Sequence, residues 1–191
     1  IYTAPGNAGT ASIASNLKIK PADIEELASA AKEIGIDLTI VGPEMPLATG
    51  IVDHFSQMKL PIIGPTKAAA QIESSKVFAK KLMQKYAIPC AKSNIFSSYS
   101  EAIKYLDNQK TPLVIKADGL AAGKGVIIVH SREEANKALA DIMEARIFGS
   151  AGDQVIIEEC LTGKEVSLLA FTDGETVIPM IPACDYKRIL D

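Results

Sequence analysis

The segment Lys116-Ala-Asp-Gly-Leu-Ala-Ala-Gly-Lys-Gly-Val126 constrains the fold more than any other part of this chain. Pro112-Leu-Val-Ile115 leads into it and Val126-Ile-Ile-Val129 leaves it. Short β-branched apolar runs read as buried strands, so the segment is a loop that joins two strands. Gly119, Gly123 and Gly125 permit backbone conformations that side chains resist, and they leave N–H groups open to an anion. Lys116 and Lys124 add positive charge at either end. A flexible, amide-rich, doubly cationic hairpin suits closure over a polyphosphate. The plainer alternative is a Gly-rich turn with surface lysines. Two other phosphate loops do not fit: Gly125 follows Lys124 where a Walker loop needs Ser or Thr, and no G-x-G-x-x-G occurs in the segment.

The first third of the chain alternates helix and strand. Residues 23–34 carry apolar side chains at helical spacing (Ile24, Leu27, Ala28, Ala31, Ile34), with Pro21 before them and Gly35 after. Leu38-Thr-Ile-Val41 reads as a buried strand, residues 51–58 as a helix and Leu60-Pro-Ile-Ile63 as a second strand. Each strand ends in Gly-Pro, at the carboxyl edge where open α/β sheets bind ligands. This pacing predicts an α/β fold with a parallel sheet. A helical connector follows from Thr66 through Met83. From about residue 95 the pattern becomes α+β: a helix at 100–106, strands at 113–117 and 126–129, and a capping box at Ser131-Arg-Glu-Glu134 opening a helix to about Ala145. A strand at 154–159 and a hairpin turning at Asp173-Gly174 complete it.

With 191 residues, 48% apolar and 23% charged, the chain can bury a substantial core and is globular. A net charge of −3 with interspersed signs gives no basic footprint for nucleic acid or an anionic membrane. Cys90, Cys160 and Cys184 lack metal or disulfide spacing and read as reduced, partly buried small hydrophobes in a reducing, cytoplasmic compartment. His54 and His130 show no ligand spacing, which argues against a zinc site or a histidine base. No stretch approaches a membrane span, and no signal peptide is expected. Nothing in the sequence sets an oligomeric state. The opening at Ile1 and the stop at Asp191 are expected to be cuts in a longer protein.

Other positions are weaker singly. Pro5-Gly-Asn-Ala-Gly9 offers backbone amides at Gly6 and Gly9 and a side-chain donor at Asn7, or else is a plain turn. Glu44 sits just past a strand end, suited to sugar hydroxyls or simply exposed. Lys76 opens a helix, where lone lysines are commonly solvated. Glu158 and Glu159 point to opposite faces of a strand, so one faces an interior and needs a partner. Glu165 starts the next strand in this reading, suited to ribose hydroxyls or simply a solvent-facing strand acid.

Taken together, Pro5-Gly-Asn-Ala-Gly-Thr10, Val41-Gly-Pro-Glu-Met-Pro-Leu47, Glu73-Ser-Ser-Lys76, Ile115 to Val126, Ile157-Glu-Glu-Cys-Leu161 and Gly163-Lys-Glu165 resemble, in this order, the phosphoribosylamine–glycine ligases, ATP-grasp enzymes of purine biosynthesis. The resemblance covers essentially the whole chain. It implies a parallel-sheet N-terminal (pre-ATP-grasp) domain over residues 1–72 lacking its first strand and loop, and a connecting helix and linker over 73–94. A lid subdomain over 95–160 and the start of an antiparallel ATP-grasp sheet over 161–191 would follow. Cys184 and Tyr186 depart from the family pattern, whereas Asp185, Lys187 and Arg188 keep it.

The resemblance further implies ligation of glycine to 5-phosphoribosylamine through glycyl phosphate, with ATP consumed. Lys76, Lys116 and Lys124 would be the catalytic cations. Asp118, Gly119, Gly123, Lys124, Gly125 and Val126 would cover the nucleotide. Glu158, Glu159, Cys160 and Leu161 would lie along the adenine, and Glu165 at the ribose. Gly6, Asn7, Gly9 and Glu44 would hold the phosphoribosyl group, and Asp185, Lys187 and Arg188 would line the substrate side. Mg2+ or Mn2+ is implied, with ligands expected beyond residue 191 and none within this piece. The piece alone would then be inactive. A noncatalytic nucleotide-binding module and another ATP-grasp carboxylate–amine ligase remain the alternatives.

Overall fold

The computed structural model describes residues 1–120 and 124–184. Two compact units are present, Ile1–Cys160 and Leu161–Asp191.

The first unit opens with two small parallel sheets. Strand β1 (Tyr2–Thr3) pairs with β2 (Ser15–Asn16), and β3 (Thr39–Ile40) with β4 (Ile62–Ile63). Helix α1 (Ile24–Ile34) starts where the Asp23 carboxylate accepts from the Glu26 N–H and stops at Gly35 in the left-handed region. Residues Glu44–Thr49 form a short helix α2, to which the sequence reading assigned no element, and α3 (Ile51–Gln57) follows directly. Ala28 and Ala31 of α1 pack on Ile51, Val52 and Phe55 of α3, giving a small buried cluster. The expected burial of residues 38–41 is overturned: Ile40 is 73% exposed and Leu38 is also exposed. No strand among the described residues pairs with the outer edge of β3. An apolar slot of about 760 Å³ lies there instead, walled by Tyr2, Leu27, Ala31, Leu38, Ile40 and Phe55.

The expected continuous connector is two helices, α4 (Lys67–Ser74) and α5 (Lys76–Lys85). They break at Ser75, whose extended backbone and hydroxyl, accepting from the Phe78 N–H, cap α5. Four strands then form one antiparallel sheet in the order β5 (Ser93–Phe96), β8 (Val155–Glu159), β6 (Leu113–Ala117), β7 (Val126–Val129). Alternation gives the sheet two distinct faces. Leu113, Ile115, Ala117, Val155 and Ile157 join the main core with Leu106 of α6 (Tyr99–Leu106) and Leu139 of α7 (Arg132–Leu139). Val114, Lys116, Ile156 and Glu158 occupy the opposite face. The sequence reading made β7 a buried strand. It is an edge strand, with Val126 and Ile128 exposed. Helix α7 continues as a π turn through Glu144.

In the second unit, β9 (Ala170–Thr172) and β10 (Val177–Pro179) form the antiparallel hairpin expected around Asp173-Gly174. The strands are shorter than the expected 165–171 and 176–181, and Glu165 precedes β9 instead of opening it. Asp173 Oδ1 accepts from the N–H groups of Glu175 and Thr176 and so fixes the turn. These hydrogen bonds hold the Asp173 carboxyl below its ordinary value.

Candidate active site

Strand register sets up the site. Lys116 lies opposite Ile156 across the β6–β8 ladder, so Glu158, two residues along β8, is its diagonal neighbour on the same face. The two side chains form an ion pair. Helix α5 packs over β8 and turns Lys76, Ala79, Lys80 and Met83 toward a hollow of about 670 Å³. Those positions recur at i, i+3, i+4 and i+7, one face of a helix. Lys116, Leu120, Val126, Ile156 and Glu158 form other walls of it, with Glu44, Met45, Ile72 and Glu73. A volume of this size admits a nucleotide-sized ligand.

The floor of the hollow is charged and dry. Glu158 is only 5% exposed and Lys80 only 6%. Lys80 Nζ lies 2.8 Å from Glu158 Oε2 and donates to the Ala91 carbonyl at 3.1 Å. The close approach to Oε2 is an ion pair outside hydrogen-bond geometry, so that oxygen accepts no hydrogen bond among the described residues. The Lys116 side chain keeps 27% of its surface open. A buried carboxylate is therefore flanked by two ammoniums from the lining of the hollow, of which Lys80 is largely enclosed and Lys116 is the more open.

The glycine loop is fastened at its root. Ser75 Oγ lies 3.1 Å from each carboxylate oxygen of Asp118, and the Val77 N–H donates to Asp118 Oδ1 at 3.1 Å. Lys76 Nζ donates to the Gly119 carbonyl at 2.7 Å. The Ala117 N–H donates to the Gly125 carbonyl and closes the base of the loop. Gly119 has φ +92°, which an L side chain resists. Burial lowers the Lys76 pKa below 10.5; Asp118 and Glu73 oppose the shift, and Lys116 adds to it. An ammonium held with a lowered pKa gains from an arriving anion.

The structure thus gathers Lys76, Lys116, Val126, Glu158 and Glu44 around one hollow. Asp118 turns its carboxylate to the start of α5 and acts as a cap. Lys124 is exposed and is not among the walls. Of the two strand glutamates, Glu158 is the buried one, while Glu159 accepts from the Lys92 N–H at 2.8 Å. Cys160 is half-buried after β8; Cys90 and Cys184 are exposed, against the expected partial burial. Leu161 and Glu165 belong to the second unit. Gly123, Asp185, Lys187 and Arg188 lie outside the described residues.

Gly6, Asn7 and Gly9 form a separate loop. Asn7 Oδ1 accepts from the Thr10 N–H at 3.0 Å, and the Asn7 N–H donates to Thr10 Oγ1 at 2.7 Å. Asn16 on β2 donates through Nδ2 to the Asn7 carbonyl at 2.8 Å, and its Oδ1 accepts from the Thr3 hydroxyl at 2.7 Å. Gly6 has φ +75°, and a Cβ there would sit 2.3 Å from Asn16 Cγ. Sequence reasoning passed over Asn16 and Lys80. Lys80 stands one turn after Lys76 on an amphipathic helix, where a lysine ordinarily reads as solvated; only the buried Glu158 opposite gives it away.

Comparison with known proteins gives the family and the fold. Residues 1–73 match the family model of the phosphoribosylglycinamide synthetase N domain, and residues 74–191 that of its ATP-grasp (A) domain. The chain is 51% identical over 191 residues to a phosphoribosylamine–glycine ligase of Caldanaerobacter subterraneus, covering all of this chain and 46% of that protein. It is 50% identical over 191 residues to one of Halalkalibacterium halodurans, covering all of this chain and 45% of that protein. The chain thus spans under half the length of these relatives. The crystal structure of a Thermotoga maritima phosphoribosylamine–glycine ligase superposes with TM-score 0.80 at 29% identity, over 100% of this chain and 45% of that one. A Campylobacter jejuni biotin carboxylase, solved as a complex with β-γ-ATP, superposes with TM-score 0.75 at 19% identity, over 94% of this chain and 43% of that one. The latter likeness is one of fold. Because these two family models together match residues 1–191, the chain belongs to the phosphoribosylglycinamide synthetase family.

Proposed function

We propose that the full-length protein containing this chain ligates glycine to 5-phosphoribosylamine at the expense of ATP, as a step of purine biosynthesis in the cytoplasm. The observation that carries the reading is the hollow in which Lys76 and Lys116 converge above the buried Glu158, in a chain of this family. A glycine carboxylate oxygen attacks the γ-phosphorus of ATP, the bond to the β-phosphate oxygen breaks, and ADP leaves glycyl phosphate. The phosphoribosylamine nitrogen then attacks the carbonyl carbon, phosphate departs with the bonding pair, and the nitrogen loses a proton. Ammoniums at Lys76 and Lys116 offset the charge that gathers on the transferring phosphoryl group. The loop from Asp118 to Val126, with Lys124, keeps water from the acyl phosphate.

Glu158 and the backbone beyond β8 at Cys160 take the adenine edge. The loop of Gly6, Asn7 and Gly9 takes the phosphoribosyl group, and we assign Asp185, Lys187 and Arg188 to the substrate side by resemblance. Residues 1–72, 73–94, 95–160 and 161–191 are proposed as the functional divisions. Mg2+ or Mn2+ belongs to the reading, yet no cluster of three or more His, Cys, Asp or Glu side chains able to hold a metal exists among the described residues. No metal ligand is therefore assigned to this chain and no step is routed through one. No helix among the described residues is long and apolar enough to cross a membrane. ADP formation by the full-length protein that requires both glycine and 5-phosphoribosylamine is the expected result. ATP binding without such turnover would leave a nucleotide-binding module and overturn the ligase reading.

A further inference from the structure

We infer that Lys80 is a positioning residue that neutralises Glu158, so that the charge of Lys116 stays available to a polyphosphate in the hollow. This rests on the nucleotide reading of that hollow. The argument is one of charge balance. Glu158 is buried and would be costly to leave unpaired. If Lys116 alone paired with it, the two charges would cancel and the open ammonium would present no net charge to an anion. Lys80 stands on α5 at the edge of the hollow with its side chain only 8% exposed, pinned by the Ala91 carbonyl and 2.8 Å from the other carboxylate oxygen. It therefore occupies that oxygen, and the trio keeps one positive charge in excess, carried by Lys116, the more open of the two ammonium side chains. Lys80 itself is too enclosed to serve as the phosphate contact.

The test is the ratio of ATP to adenosine affinity, measured by calorimetry on the full-length protein. Lys80→Met should lower ATP affinity on the order of tenfold while leaving adenosine binding near its original value. Lys80→Arg, which keeps the charge, should hold the ratio. Glu158→Gln should raise the ratio, because the trio then carries two surplus charges; any lost adenine contact weakens both ligands alike and cancels. Lys80→Met with Glu158→Gln restores one surplus charge and should return the ratio to its original value, which also serves if Lys80→Met alone does not fold. Equal weakening of ATP and adenosine in Lys80→Met, or a ratio unmoved or lowered in Glu158→Gln, would overturn the inference while the nucleotide reading stands. No ATP binding by the unsubstituted protein would overturn both.

Discussion

Lys76 and Lys116 hold their charge by different means, and substitution should separate them. Lys116 pairs with a carboxylate that keeps a second partner in Lys80 when Lys116 is lost. Lys116→Ala should therefore fold with little change in melting temperature, yet weaken nucleotide binding by about 2–4 kcal/mol, read by calorimetry. Arginine should rescue poorly, since its planar fork cannot take the place of a compact ammonium beside a carboxylate already engaged. Lys76 behaves otherwise because burial lowers its pKa from 10.5. A bound phosphate favours its charged form and raises that pKa, so nucleotide binding takes up a proton on the alkaline side. Affinity should fall with rising pH before an ordinary lysine would deprotonate. Calorimetry in buffers of different ionisation enthalpy should record the uptake, and Lys76→Arg should abolish it. Lys116 was legible because a strand end beside the glycine loop displays it, whereas Lys76 at a helix start read as solvated and was singled out only by the family resemblance. Lys80 and Asn16 were not legible, since nothing local marks a lysine or asparagine whose partner lies far along the chain.

Among the elements, the tightest joint is between the π turn after α7 and the 3-10 turn Gly149–Asp153. A Cβ at Gly152 would stand 2.1 Å from the Ile142 carbonyl oxygen, a backbone atom that cannot swing away. Gly152→Ala should cost on the order of 2–4 kcal/mol, measured by denaturant titration. Asp118→Ala removes acceptors for the Ser75 hydroxyl and the Val77 N–H and should cost about 1–2 kcal/mol. Asp118→Asn, which keeps one acceptor oxygen, should recover part of it. The sequence displayed β3, β4, β6, β7 and β8 as apolar runs, of which β6 and β8 through Ile115 and Ile157 are the longest. Missed were β2, β5 and α2. Two polar residues in β2 carry no periodicity, the Ser-Asn-Ile-Phe of β5 does not alternate, and Pro46 in the first turn of α2 masks a helix only six residues long.

At the scale of the whole molecule, the two buried clusters differ greatly in extent. The sheet of β5 to β8 with α6 and α7 encloses twelve buried apolar residues, whereas the α1–α3 cluster encloses five. Amides of Ile115 and Ile157 should exchange slowest, and those of Thr39 to Val41 should exchange through local opening at a much lower cost. Equal protection in both regions would contradict that order. The alternation of helix and strand was legible in the first third, but the solvation of β3 was not, because a hydrophobic run does not reveal whether a neighbour lies along its edge. The slot beside β3 leaves a calorimetric signature. The heat capacity of unfolding records apolar surface that passes from dry to wet, and Ile40, Leu38 and Ile63 are wet before unfolding begins. A 191-residue chain of ordinary compactness would show roughly 2.3–2.9 kcal/mol/K. The three exposed side chains should lower the value by roughly 0.1–0.2 kcal/mol/K. Replacing them together with serine should therefore leave the heat capacity of unfolding nearly unchanged, and a clear drop in that variant would mean the slot is closed in solution.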